Sequence, residues 1–358
     1  MRWPIDRTWH ANTVEPNWKC AAPDGSVREF HRSLAGYAPT PLLELPELAR
    51  ELQVGRVFAK FEADRFGLPA FKGLGASWAL HRALAAGAGT PVTVVAATDG
   101  NHGRAVAHFA RLAGLPAIIV IPEGVGTAAI DAIRGEGADV RLVDGDYDHA
   151  VASATELARI LGGLLIQDTA WPGFEAIPQW IVDGYETLFA EIDEQLEVDG
   201  VQAPDLFVVP AGVGSVAQAC VAHYRSGGRP RTAILNVEPT SAPCVLASLT
   251  LGACTSVETG TTIMAGLNCN SVSILAWPLL RDGLDAAVAV SDELGRDAMR
   301  SFAALGVDAG SCGAACLAGA RAALLGPDAS ARREHLGVDG TSVLVLLVTE
   351  ARLPEFVL

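Results

Sequence analysis

From about residue 57 to residue 348 the chain alternates short apolar runs with longer helix-like stretches, and this alternation constrains the fold more than any other feature. Val92–Ala97 is β-branched and uncharged and reads as a buried parallel strand. A helix is expected from about His102 to Ala113, stopped by Gly114 with Pro116 just beyond. The pattern repeats: strand Ala117–Ile121, helix Thr127–Arg134, strand Ala138–Val143, helix Tyr147–Leu161, strand Leu164–Gln167. Further strands are expected at Leu206–Val209, Ala233–Val237 and Ser342–Val348. Such β–α alternation specifies an α/β fold with parallel sheet and helices on both faces.

Four polar or glycine-rich loops share one position in this pattern. Thr98-Asp99-Gly100-Asn101-His102, Asp168, Ala211-Gly212-Val213-Gly214-Ser215 and Thr349-Glu350 each follow a predicted strand. Ligands of open α/β sheets bind at the carboxyl ends of strands. The four loops therefore predict a single site.

The chain has only three lysines, Lys19, Lys60 and Lys72, while 23 arginines bring Lys+Arg to 26. Lys60 follows Val57-Phe58-Ala59 and reads as structural. Lys72 lies in Gly67-Leu68-Pro69-Ala70-Phe71-Lys72-Gly73-Leu74-Gly75, a nearly uncharged stretch before a helix. Apolar surroundings lower a lysine pKa because desolvation disfavours the ammonium. A neutral amine suits Schiff-base chemistry. Phe71 beside it is a candidate to pack against a planar ring.

Gly212-Val213-Gly214-Ser215 between strand and helix admits two functional readings. Its backbone N–H groups and the helix dipole could cradle a phosphate, with Ser215 adding a hydroxyl. Alternatively, Gly212-x-Gly214-x-x-Ala217, followed by a strand ending at Val237 and by Glu238, is close to a dinucleotide fingerprint and so to an NAD-dependent oxidoreductase. The company of Lys72 and the Thr98–His102 loop favours the phosphate of pyridoxal phosphate.

Composition narrows the partners. A net charge of −15 argues against nucleic acid or an anionic membrane surface. Met1–Asp6 lacks the apolar core of a leader, and the longest apolar runs are strand-sized, so a soluble cytoplasmic protein is expected. The seven cysteines are scattered without a CxxC pair, so no metal site is expected. Pairing of Cys244 with Cys269 stays open.

At this point the residues resemble a known family. Glu62–Lys72, Thr98–Arg104, Gln167-Asp168-Thr169-Ala170-Trp171, Ala211–Ser215 and Ile263-Met264-Ala265-Gly266-Leu267 look like the diaminopropionate ammonia-lyases, among the fold-type-II pyridoxal-phosphate enzymes that include threonine dehydratase and tryptophan synthase β. The matches run in order from about residue 55 to 350. The resemblance implies two open, mostly parallel sheets, with a small domain of residues 76–174 inserted in a large one made of 1–75 and 175–358. It implies Lys72 as the Schiff-base lysine, Asn101 on the cofactor's ring hydroxyl, Gly212 to Ser215 on its phosphate and Thr349 at its pyridine nitrogen. Thr98, Asp99, Gly100 and His102 would meet a small amino-acid substrate, and Asp99 and Asp168 would be an acid–base pair, each serving one enantiomer. A homodimer releasing pyruvate and ammonia is expected.

Two segments depart from the family pattern. Ser311-Cys312-Gly313-Ala314 stands where the family has Glu-Ser-Gly-Ala, and Ala351-Arg352-Leu353-Pro354 replaces a Gly and Thr-x-Pro. Serine, threonine or another β-substituted amino acid is therefore kept as an alternative substrate, and a non-catalytic cofactor-binding protein as a further reading.

Overall fold

The computed structural model describes residues 1–4, 7–87 and 92–352. Among them, eleven strands form two sheets. They are β1 (Trp9–Ala11), β2 (Leu42–Glu44), β3 (Arg56–Phe61), β4 (Val94–Ala97), β5 (Ala117–Pro122), β6 (Asp139–Val143), β7 (Leu164–Leu165), β8 (Leu206–Pro210), β9 (Ala233–Pro239), β10 (Ala286–Val290) and β11 (Val343–Val348). The seven-stranded sheet runs β1-β10-β9-β8-β11-β3-β2 and the four-stranded sheet β6-β5-β4-β7. Pairing is parallel except at the outer strands β1 and β2.

Period-two alternation explains why the strands read as continuous apolar runs: both faces are covered. On β3, β8 and β11, Phe58, Phe207, Val209, Val345 and Leu347 enter one core, and Val57, Ala59, Leu206, Val208, Leu344 and Leu346 a second. On the smaller sheet, Val94, Ala96, Ile119 and Ile121 join the first core, while Val95, Ala97 and Val120 face a third. One apolar layer is thus shared by the two sheets and fixes them relative to each other.

The central elements match the sequence expectations, including a helix over Tyr147–Leu161 that the Asp146 carboxylate caps through the His149 N–H. Strands β1, β2 and β10 were not foreseen. The first two have three residues each, too few to display a period, and β10 is Ala-Ala-Val-Ala-Val, weak in β-branched residues. No described helix is long and apolar enough to cross a membrane.

Candidate active site

The loops at the carboxyl ends of β4, β7, β8 and β11 converge on one cavity of about 910 Å³. Phe71, Lys72, Asp99, Gly100, Asn101, His102, Asp168, Gly212, Val213, Gly214, Ser215 and Thr349 all line it. Thr98 does not. Its hydroxyl accepts from the N–H groups of Gly100 (2.9 Å) and Gly103 (3.0 Å) and so shapes the loop from behind. The departing residues Ser311 and Cys312 line the cavity, whereas Leu353 and Pro354 lie outside the described residues.

Lys72 opens the helix Lys72–Gly87, and its position is built from the preceding segment. Arg65 and Leu68 form a tight antiparallel bridge across Phe66 and Gly67, both at positive φ (61° and 75°). Arg65 is fully buried and donates to both oxygens of Glu62 and both of Glu191. Lys60 joins the same cluster, donating to Glu191 Oε2 at 2.8 Å, so it is structural. Past the turn, the Phe71 N–H donates to the Thr349 carbonyl at 3.2 Å, anchoring the lysine to the end of β11. The Phe71 ring packs on Tyr185, with centroids 4.8 Å apart, and lies 5.3 Å from Lys72 Nζ. Lys19 is exposed, so among the described residues Lys72 alone of the lysines reaches the cavity.

Lys72 Nζ donates to Asp168 Oδ2 at 2.6 Å. This pair overturns the expectation of a depressed lysine pKa. Burial does push the ammonium down, but the Asp168 carboxylate outweighs it and holds the pKa above the ordinary lysine value. The apolar neighbourhood in sequence omits a partner 96 residues away. Asp168 in turn is held below the ordinary carboxylate range: burial raises it, and Lys72 and His102 more than reverse that. Asp99 behaves oppositely. Burial pushes it up to about 6, with Lys72 opposing and Asp168 reinforcing the shift. Two carboxylates with separated pKa values in one cavity are the arrangement acid–base catalysis requires.

Two groups around Asp168 escaped sequence reasoning. Tyr147 opens its helix, and its hydroxyl donates to Asp168 Oδ1 (3.4 Å) while accepting from Gln167 Nε2 (2.7 Å). Gln167 Oε1 accepts from the Ala97 N–H at 3.0 Å, so the chain ends on β4. Nothing in local sequence separates Tyr147 from any residue opening a helix. His102 donates through Nε2 to the Ile166 carbonyl (2.9 Å), leaving Nδ1 buried, unpartnered and 3.9 Å from Asp168 Oδ2.

The glycine loop passes from β8 into the helix Ser215–Arg225, whose first N–H groups have no intrahelical partner. Gly214 sits at φ 96°, and a Cβ on Gly212 would lie 2.9 Å from both Cys269 Sγ and the Gly266 carbonyl. Only glycines allow this close approach. The Ser215 hydroxyl donates to the Asp168 carbonyl at 2.6 Å, tying the loop to the acid. Across the cavity, Thr349 Oγ1 is buried with no hydrogen-bond partner. An unanswered hydroxyl, a helix-opening glycine loop and a lysine on one cavity are a set that fits pyridoxal phosphate, with Lys72 suited to its aldehyde and Gly212–Ser215 to its phosphate.

The dinucleotide reading loses its acid. Glu238 is fully buried and accepts from the N–H groups of Val245 (2.7 Å) and Leu246 (2.8 Å), at the start of the helix Cys244–Leu251. Burial pushes its pKa up to about 8. It caps a helix and presents nothing to a ribose. Cys244 and Cys269 are both free thiols.

Residues 34–346 match the family described as pyridoxal-phosphate dependent enzyme. The chain is 38% identical over 303 residues to a diaminopropionate ammonia-lyase of Salmonella typhimurium, covering 78% of this chain and 75% of that one. It is 34% identical over 347 residues to the Escherichia coli enzyme of that name, covering 90% and 87%. The crystal structure of the Escherichia coli lyase in complex with an aminoacrylate-PLP azomethine reaction intermediate superposes with a TM-score of 0.88 at 31% identity, over 96% of this chain and 93% of that one. With a lysine, a glycine loop and an unpartnered threonine hydroxyl on one cavity, the chain belongs to the pyridoxal-phosphate dependent enzymes.

Proposed function

We propose that this protein eliminates ammonia from 2,3-diaminopropionate, as the L or the D enantiomer, to give pyruvate and ammonia. The observation that carries the reading is the pair of carboxylates near Lys72: Asp168 at 2.6 Å with a lowered pKa, and Asp99 with a pKa raised to about 6. The names of the relatives at 34–38% identity support the substrate.

Bound pyridoxal phosphate supplies an electron sink for the bond broken at the substrate's α-carbon. The remaining work falls to this chain. Asp168 holds the free Lys72 as its ammonium and orients Nζ into the cavity, and that nitrogen must give up its proton before it acts as a nucleophile. The N–H groups of Gly212 to Ser215 would hold the cofactor's phosphate at the helix terminus, and Asn101 would meet its ring hydroxyl. Gly100 and His102 border the place for the substrate carboxylate. Thr349, whose buried hydroxyl has no partner, would face the ring nitrogen as a neutral group, which would not enforce protonation there as an aspartate would and so would favour elimination over racemisation. Asp99 and Asp168, on different loops, each remove the α-proton of one enantiomer.

The domain division at residues 76–174 belongs to the same proposal, supported by a four-stranded sheet confined to Val94–Leu165. So does a cytoplasmic location, for which free cysteines are the support. The homodimer rests on the family resemblance, and sedimentation equilibrium tests it.

The deciding experiment is a panel of β-substituted amino acids assayed for 2-oxo acid and ammonia. Pyruvate and ammonia released fastest from diaminopropionate support the proposal. Faster turnover of serine or threonine replaces the substrate, and no turnover of any member leaves a cofactor-binding protein.

A further inference from the structure

Glu350 has no part in the reading above, yet its carboxylate is clamped into the site. Oε2 accepts from Asn101 Nδ2 at 2.6 Å, and Oε1 accepts from the Cys312 N–H at 3.2 Å, in the first turn of the helix Ser311–Leu324. The backbone is held as firmly. The Gly310 N–H donates to the Glu350 carbonyl at 2.9 Å, and residue 350 forms an antiparallel bridge with Ala70, two residues before Lys72. A Cβ on Gly310 would lie 2.6 Å from Glu350 Cγ and 2.8 Å from Oε1, so the side chain packs directly on the helix terminus.

This clamp has a chemical consequence for Asn101. An asparagine amide has a donor end and an acceptor end of nearly the same shape. Burial raises the pKa of the Glu350 carboxyl while the Cys312 N–H and the Asn101 amide oppose that shift; as a carboxylate it only accepts, so it dictates which end of Asn101 turns toward it. Nδ2 carries two hydrogens, so the one not given to Glu350 is left to serve the cavity that Asn101 lines. We infer that Glu350 is a positioning residue that fixes the polarity of Asn101, so that an amide N–H rather than an amide carbonyl is offered to the ring oxygen of the bound cofactor. The inference rests on the reading of Asn101 as the group that meets that oxygen. An N–H there stabilises the oxygen as its anion, and a carbonyl would oppose it.

The test uses the enzyme loaded with pyridoxal phosphate and reads its visible absorbance spectrum, its cofactor affinity and its melting temperature. Glu350→Gln keeps the shape but offers an N–H to Asn101, turning the amide round. Its visible band should lose intensity to a band at shorter wavelength, and cofactor binding should weaken about tenfold. Asn101→Ala should do the same, and the Asn101→Ala/Glu350→Gln double variant should be no worse than Asn101→Ala alone. A swapped pair, Asn101→Asp with Glu350→Gln, restores the hydrogen bond with reversed polarity. Its melting temperature, read on the cofactor-free protein, should recover while the spectrum of the loaded protein stays altered, which keeps the test decisive even where Glu350→Gln alone does not fold. Recovery of both would make Glu350 a merely structural tie and overturn the inference. So would a Glu350→Gln spectrum like that of the unaltered protein beside a changed Asn101→Ala spectrum. An unchanged Asn101→Ala spectrum would overturn the reading of Asn101 and the inference with it.

Discussion

Lowering the pH should change which enantiomer the enzyme prefers. A general base works only when ionised. Burial pushes Asp99 up to about 6, whereas Asp168, despite burial, is held below the ordinary range by Lys72 and His102. At pH 7.5 a carboxyl with a pKa of about 6 is almost wholly ionised; at pH 5 roughly one-tenth of it is. Asp168 stays ionised at both. The enantiomer that depends on Asp99 should therefore lose about tenfold in kcat/KM across this interval, while the other loses nothing from this source. Protonation of the substrate cannot imitate the effect, because two enantiomers have identical solution pKa values and their ratio cancels it. The assay is the initial rate of pyruvate release from each enantiomer between pH 5 and 8 at constant ionic strength. Asp99→Asn should cut activity on its own enantiomer at least about a hundredfold and leave the residual ratio independent of pH, and Asp168→Asn should impair the opposite enantiomer. A ratio constant within about twofold, or one that varies equally in Asp99→Asn, would refute the division of labour.

Two further predictions concern buried charges away from the chemistry. Arg65→Ala leaves the carboxylates of Glu62 and Glu191 buried without their main partner, which should cost about 3–5 kcal/mol in urea unfolding of the cofactor-free protein; a loss below ~1 kcal/mol contradicts this. Glu238, pushed up to about 8 by burial, holds a proton in the fold that the unfolded chain releases near 4.5. Its contribution to stability is full below pH 4.5 and is lost as pH rises to about 8, by ~1.4 kcal/mol per unit at most. Glu238→Gln should flatten that decline, and parallel stability–pH curves for the two proteins would refute it.

How much of this was legible in the sequence depended on whether the cause was local. The helix over Tyr147–Leu161 announces itself through the Asp146 cap and Gly162, and the loops after β4, β8 and β11 stand out because glycine and polar residues interrupt apolar runs. Those loops, with Asp168 after β7 and the uncharged neighbourhood and family resemblance that singled out Lys72, pointed to the cavity that Lys72, Asp99, Asn101, Asp168 and Gly212 line. What stayed hidden depends on partners distant in sequence. The pKa of Lys72 is set by Asp168, and Glu238 reads as a ribose acid until the helix it caps is seen. Thr98 reads as a cavity residue because Asp99 to His102 beside it line the cavity, yet its hydroxyl is spent on two backbone N–H groups. Glu350 shows its partners only once the helices opening at Asn101 and Ser311 are brought to the end of β11.

Lys72 carries the whole of the proposed chemistry. Protein loaded with pyridoxal phosphate, reduced with borohydride and digested, should carry the reduced cofactor on the peptide containing Lys72, and Lys72→Ala should lose both the label and the visible band. Lys60 is buried in its ion cluster and Lys19 is exposed away from the cavity, so neither can substitute. Label on either of those lysines, or a visible band surviving in Lys72→Ala, would contradict the assignment on which every other step depends.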